Sequence, residues 1–131
     1  MSKVFPKEEL NSYGNFRTYD GSMREVAFLL GGIGTGNVSI GARGELRDWE
    51  IFNTPDKGNF LPYSFFAIWV KEEGKDPVTK VLEGRISPPY SDSHGLSPAQ
   101  VSGMPRFEKS RLRGEYPFVW VKLQDESMPV E

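Results

Sequence analysis

Val38-Ser39-Ile40-Gly41-Ala42-Arg43-Gly44-Glu45-Leu46-Arg47-Asp48-Trp49-Glu50-Ile51-Phe52 is the stretch that decides the fold class of this chain. Val38 and Ile40 alternate with polar neighbours, which is the period of a strand with one buried face. Ala42-Arg43-Gly44 then supplies a short turn whose glycine can take positive φ, and the chain returns from Glu45 to Phe52. The segment reads as a hairpin. Leu46 has the opposite strand parity from Trp49 and Ile51, so a bulge near Arg47-Asp48 is needed to bring all three apolar groups to one face.

Upstream, residues 26–30 form an apolar run that enters Gly31-Gly32-Ile33-Gly34-Thr35-Gly36. Residues 1–25 are polar and carry turn signals without a sustained period, so they read as a lead-in of loops or short edge pieces with no helix. Downstream, residues 53–62 are a Pro/Gly/Asn connection. Residues 64–70 follow, with Phe66, Ile68 and Val70 on one face and Phe65, Ala67 and Trp69 on the other, which predicts a strand covered on both sides. A charged turn at 72–76 leads into residues 78–82, so 64–83 reads as a second hairpin. Residues 87–105 are rich in Pro and Ser and read as a long surface loop. Strands are predicted at 107–112 and 118–123, separated by Arg113-Gly114-Glu115, and Met128-Pro129-Val130-Glu131 reads as the start of another. With 14 Gly, 10 Pro and only four Ala, the composition agrees with strands and turns. The fold class is all-β: an antiparallel, hairpin-rich, partial β-sandwich with little helix.

The chain has 131 residues, one domain's worth, and its 16 Lys plus Arg are interspersed with 18 Asp plus Glu. Such a balance is not built to neutralise phosphates, so nucleic acid is not expected as a partner. With no Cys and a single His, neither a thiolate nucleophile nor a zinc ribbon is available. His94 stands beside Asp92, but two ligands do not make a metal site, and no cofactor is expected. The longest apolar run, 65–70, is far short of the roughly 20 residues of a membrane helix, and the polar N-terminal residues do not read as a signal peptide. The reading is therefore a cytoplasmic protein.

Two constellations invite a chemical reading. The glycine cluster follows an apolar run, as a dinucleotide-binding loop does, but Asn37 or Ser39 stands where the third glycine is required. A strand pattern also follows where a phosphate-binding loop would open a helix. The glycines read instead as permitting a strand bend and close backbone approach. Glu45, Asp48 and Glu50 lie along one strand, and a carboxylate pair is what glycoside hydrolysis requires. Mixed with Arg43 and Arg47, they read as a solvated, partly charge-paired face, with Trp49 in the core.

Taken in order, residues 31–36, then Gly44-Glu45-Leu46-Arg47-Asp48-Trp49-Glu50-Ile51-Phe52-Asn53 with Pro55 and Lys57-Gly58, then Phe65-Phe66-Ala67, Pro105-Arg106-Phe107 and Tyr116-Pro117-Phe118 leading to Pro129, form a recognisable set. The set resembles the N-terminal domain of glycoside hydrolase family 116, which includes bacterial β-glucosidases and non-lysosomal glucosylceramidases. The resemblance runs from about Ala27 to Glu131. It implies a β-sandwich, spanning 26–131 after the lead-in of 1–25 and incomplete at its C-terminal end, which packs on a C-terminal (α/α)6 helical barrel absent from this chain. It implies a retaining β-glucosidase parent whose Glu nucleophile and Asp acid/base both belong to that barrel. No catalytic residue is therefore assigned here, and a β-glucoside is reached only through the parent. The motif residues Gly31, Gly32, Gly34, Gly36, Gly44, Arg47, Asp48, Trp49, Glu50, Asn53, Pro105, Tyr116, Pro117 and Phe118 take structural or interdomain roles. The competing reading is a standalone carbohydrate-binding or interaction module.

Overall fold

A computed structural model describes residues 7–10, 16–88 and 103–130. Among the described residues a single helical turn, α1 (Lys7–Leu10), is followed by nine strands: β1 (Arg17–Asp20), β2 (Phe28–Leu30), β3 (Asn37–Ile40), β4 (Leu46–Glu50), β5 (Ala67–Val70), β6 (Val78–Gly84), β7 (Arg106–Phe107), β8 (Lys109–Glu115) and β9 (Phe118–Gln124). They form three sheets of three strands, ordered β1-β8-β9, β2-β3-β4 and β5-β6-β7. All pairings are antiparallel except β6 with β7. The all-β expectation holds. The lead-in supplies the edge strand β1, but it also contains α1, which its polar, aperiodic sequence did not announce.

The decisive hairpin forms as read, with its bulge. Ser39 faces Arg47 while Asn37 faces Glu50, so β4 spends three residues where β3 spends two. Asp48 sits in the extra position at φ 52. The burial that follows differs from the expectation: Arg47 and Asp48 turn inward, Trp49 is half-buried and Ile51 is exposed. The bulge aims the Asp48 carboxylate at a loop amide, so it serves a polar contact rather than an apolar face.

Residues 64–83 also form their hairpin, pairing Ala67 with Val81 through Val70 with Val78. β5 is not covered on both sides, however, because it is the edge of its sheet and Trp69 is 61% exposed. The β8–β9 hairpin pairs Lys109 with Gln124 through Glu115 with Phe118. Its turn is therefore Tyr116-Pro117, joined by a cis peptide bond, and Arg113-Gly114-Glu115 lie inside β8. Gly114 is used for packing, since a Cβ there would meet the Phe28 ring at 2.9 Å. The further strand expected from Met128 onward is not formed among the described residues. Met128 is held by its amide donating to the Asp125 carbonyl at 3.2 Å and tucks its side chain into the core.

The sheets meet around the tip of the β3–β4 hairpin. Gly44 adopts φ +91, and a Cβ on it would stand 2.9 Å from the Leu82 carbonyl oxygen and 3.3 Å from a Val121 methyl, so only glycine passes between β6 and β9. The Gly84 amide donates to the Arg43 carbonyl at 2.7 Å. Around this wedge lie Ala42, Val81, Phe107 and Leu112, the apolar centre of the molecule.

Candidate functional site: a buried ion cluster and an exposed loop end

The wedge brings four charges together. The Arg43 amide donates to Glu45 Oε2 at 3.0 Å, while its guanidinium lies 3.6 Å from both Glu45 Oε1 and Glu83 Oε2 and donates to the Gly84 carbonyl at 3.3 Å. Arg106 Nε reaches the same Glu83 oxygen at 3.0 Å. The side chains of Arg43, Glu45, Glu83 and Arg106 are 5% exposed or less, so two guanidinium groups and two carboxylates share a dry junction. Burial pushes the Glu45 carboxyl up against the opposing pull of Arg43. The solvated-face reading of Glu45 is therefore corrected. In an isolated hairpin these side chains would meet water, but here the tip is inserted between two other sheets.

Asp48 is buried as well and is committed to the loop behind it. Its Oδ1 accepts from the Gly58 amide at 2.7 Å and lies 3.7 Å from Arg47 Nε, while its amide donates to the Asn59 carbonyl at 2.9 Å. Arg47 donates through Nη1 to the Arg24 carbonyl at 2.8 Å. Glu50 pairs with Lys57 at 2.7 Å, and that hydrogen bond raises the Lys57 ammonium pKa. Asp48 and Glu50 thus hold residues 57–59 against β4.

The remaining motif residues other than Trp49 stand at three places: the loop end formed by residues 31–36 with Asn53, Pro105, and the β8–β9 turn. Gly31, Gly32, Gly34 and Gly36 lie in the β2–β3 loop, which is a hairpin connection and not the opening of a helix. The Gly32 amide donates to the Thr35 hydroxyl at 2.9 Å, and the hydroxyl returns a bond to the Gly32 carbonyl at 2.9 Å. Gly36 touches the other loop, since its Cβ would stand 2.9 Å from the Glu50 carbonyl oxygen and 3.2 Å from Ile51 Cα. Phe52 and Asn53 follow, both left-handed at φ 58 and 56. Elsewhere, Pro105 accepts from the Val81 amide at 2.8 Å and so admits β7 to its sheet. Tyr116 lies in the β8–β9 turn and Phe118 follows it, and close by the Arg113 guanidinium stacks 3.8 Å over the Phe16 ring and 5.0 Å from the Trp120 ring centre. The Trp49 indole N–H is buried and finds no hydrogen-bond partner among the described residues.

Sequence reasoning missed Glu83, Arg106 and the stacking role of Arg113. Arg43 carried a usable signal, a long cation beside the glycine of a tight turn, but Glu83 carried none. His94 and most of the 87–105 loop lie outside the described residues. Among the described residues no group of three or more His, Cys, Asp or Glu is placed to hold a metal ion.

The described residues form an all-β, hairpin-built domain. Residues 27–131 match the family described as beta-glucosidase 2, glycosyl-hydrolase family 116 N-term, and the chain belongs to that family. Among curated proteins, none matches the chain.

Proposed function

We propose that this chain acts as the N-terminal β-sandwich region of a retaining β-glucosidase or glucosylceramidase-like enzyme, with a structural and interdomain role and no hydrolysis of its own. The observation that carries the reading is the commitment of Asp48 and Glu50 to Gly58 and Lys57. A retaining mechanism needs two free carboxyl groups roughly 5 Å apart across a sugar-shaped cleft. The partner is the helical catalytic part, and β-glucoside is met there. A cytoplasmic setting belongs to this reading, and among the described residues no helix is long and apolar enough to cross a membrane.

The test is hydrolysis of an aryl β-glucoside by the purified chain, with no rate expected above the uncatalysed one. Activity that disappears in Asp48→Asn or Glu50→Gln would place a catalytic site in this region and overturn the reading. The exposed Phe118 and Trp120 rings, 6.1 Å apart, favour a second reading as a carbohydrate-binding module. Titration with glucosides under tryptophan fluorescence separates the two, because the first reading expects no saturable response.

A further inference from the structure

The positive-φ non-glycine residues among those described, Asp48, Phe52 and Asn53, fall within one six-residue span. For a bulky aromatic residue the left-handed region is an outlier, kept only where the surroundings enforce it. Phe52 is nevertheless 93% exposed, so the fold holds it in a costly backbone conformation and gains no burial in return. The enforcement is visible on both sides. Gly36 packs against the Glu50 carbonyl and Ile51, the Asp48 carboxylate pins Gly58, and the Glu50–Lys57 pair closes the loop. Ile33, fully exposed on the adjoining β2–β3 loop, projects from the same buttressed end.

We infer that Phe52 is a preformed anchor that seats this region in an apolar pocket of the helical catalytic part of the same enzyme, an inference that rests on the interdomain reading above. The pocket is apolar because Phe52 and Ile33 are apolar and the neighbouring charges, Glu50 and Lys57, are already paired. It is concave because a single ring on a tight turn presents a point and not a plane. A rigid, exposed aromatic of this kind loses little conformational freedom on docking and matches the profile of a binding hot spot. The family match supplies the occupant, since an N-terminal domain of a glycoside hydrolase is joined to a catalytic part.

The experiment uses the enzyme chain that carries both parts. Phe52→Gly removes the anchor while relaxing the backbone, and the fluorescence of Trp49, Trp69 and Trp120 checks that the region still folds. One calorimetric transition should split into two, and protease cleavage between the parts should accelerate about 30-fold, the scale of a lost hot-spot aromatic. Trp120→Ala, on the outer face of β9, is the comparison. If Trp120→Ala splits the transition and Phe52→Gly does not, the parts dock through another face and the anchor is overturned. If neither variant splits it, the interdomain reading falls as well.

Discussion

The guanidinium of Arg43, on the β3–β4 turn, lies 3.6 Å from the carboxylate of Glu83 on β6, and both side chains are buried. A buried ion pair is weak evidence of net stabilisation, because desolvation offsets its attraction, but removing one member leaves the other charge stranded in a dry site. Arg43→Met is therefore expected to cost about 3–5 kcal/mol. Lys57→Met, which breaks a pair whose lysine is exposed, should cost less than about 1 kcal/mol. Urea unfolding of the two variants checks the contrast, and equal small losses would mean that water reaches the junction.

Two buried carboxylates should give the acid limb of stability opposite contributions. Burial by itself would raise the Asp125 pKa, but Lys80 Nζ at 2.7 Å and the Ser127 amide at 2.9 Å outweigh it and hold the group well below the usual carboxylate range. The unfolded chain then takes up a proton near an ordinary value of about 3.9 while the folded chain does not, so this stability is present above that pH and lost as pH falls. Glu45 has the opposite sign. Its folded pKa is raised by burial, so its contribution is present below about 4.3 and lost as pH rises through the raised value. The stability difference between wild type and Asp125→Asn should shrink on acidification, and that between wild type and Glu45→Gln should grow. Chemical denaturation across a pH series reads both.

Gly36 and Gly74 have the same φ of +78, but a Cβ on Gly36 would stand 2.9 Å from the Glu50 carbonyl oxygen, whereas one on Gly74 meets nothing within 4 Å. Alanine at either position carries the left-handed penalty, of order 1 kcal/mol. The excess cost of Gly36→Ala over Gly74→Ala measures the crowding between the two loops. A positive excess is expected in thermal unfolding. Equal costs would show that the loops move apart freely, and the rigid loop end argued for Phe52 would lose its buttress.

The parts legible in the sequence were those decided by neighbouring residues. The alternation at 38–40, the turn glycine and the parity clash between Leu46 and Trp49 are local, and the hairpin with its bulge at Asp48 follows from them. The failed nucleotide spacing at 31–36 was equally local. What stayed hidden depends on where other sheets sit. Arg43 and Glu45 are buried because β6 and β7 bring Glu83 and Arg106 to the tip, and nothing in residues 38–52 encodes that approach. The turn placed at Gly114 failed for a related reason, because glycine there accommodates the Phe28 ring of a different sheet while Tyr116-Pro117 makes the reversal.

The outer face and edge of β9 should make the 131-residue chain self-associate. β9 is the last strand in the order β1-β8-β9, so the backbone groups of its outer side have no strand partner among the described residues. Phe118 and Trp120 project from its outward face beside Phe16, all of them exposed, while Val121 and Leu123 turn toward the core. An open edge beside aromatic surface is a template for pairing with another chain. The restraint is charge. Arg111 stands between Asp20 and Lys122 in register, so the charge on the open edge is that of Lys122, which opposes pairing with a second copy. Lys122→Val should therefore increase association in sedimentation velocity, and Trp120→Lys should reduce both association and the binding of a hydrophobic dye. The wild-type chain should sediment as a mixture and bind the dye. A sharp monomer with no dye binding, unchanged by Lys122→Val, would mean that the face is closed in solution.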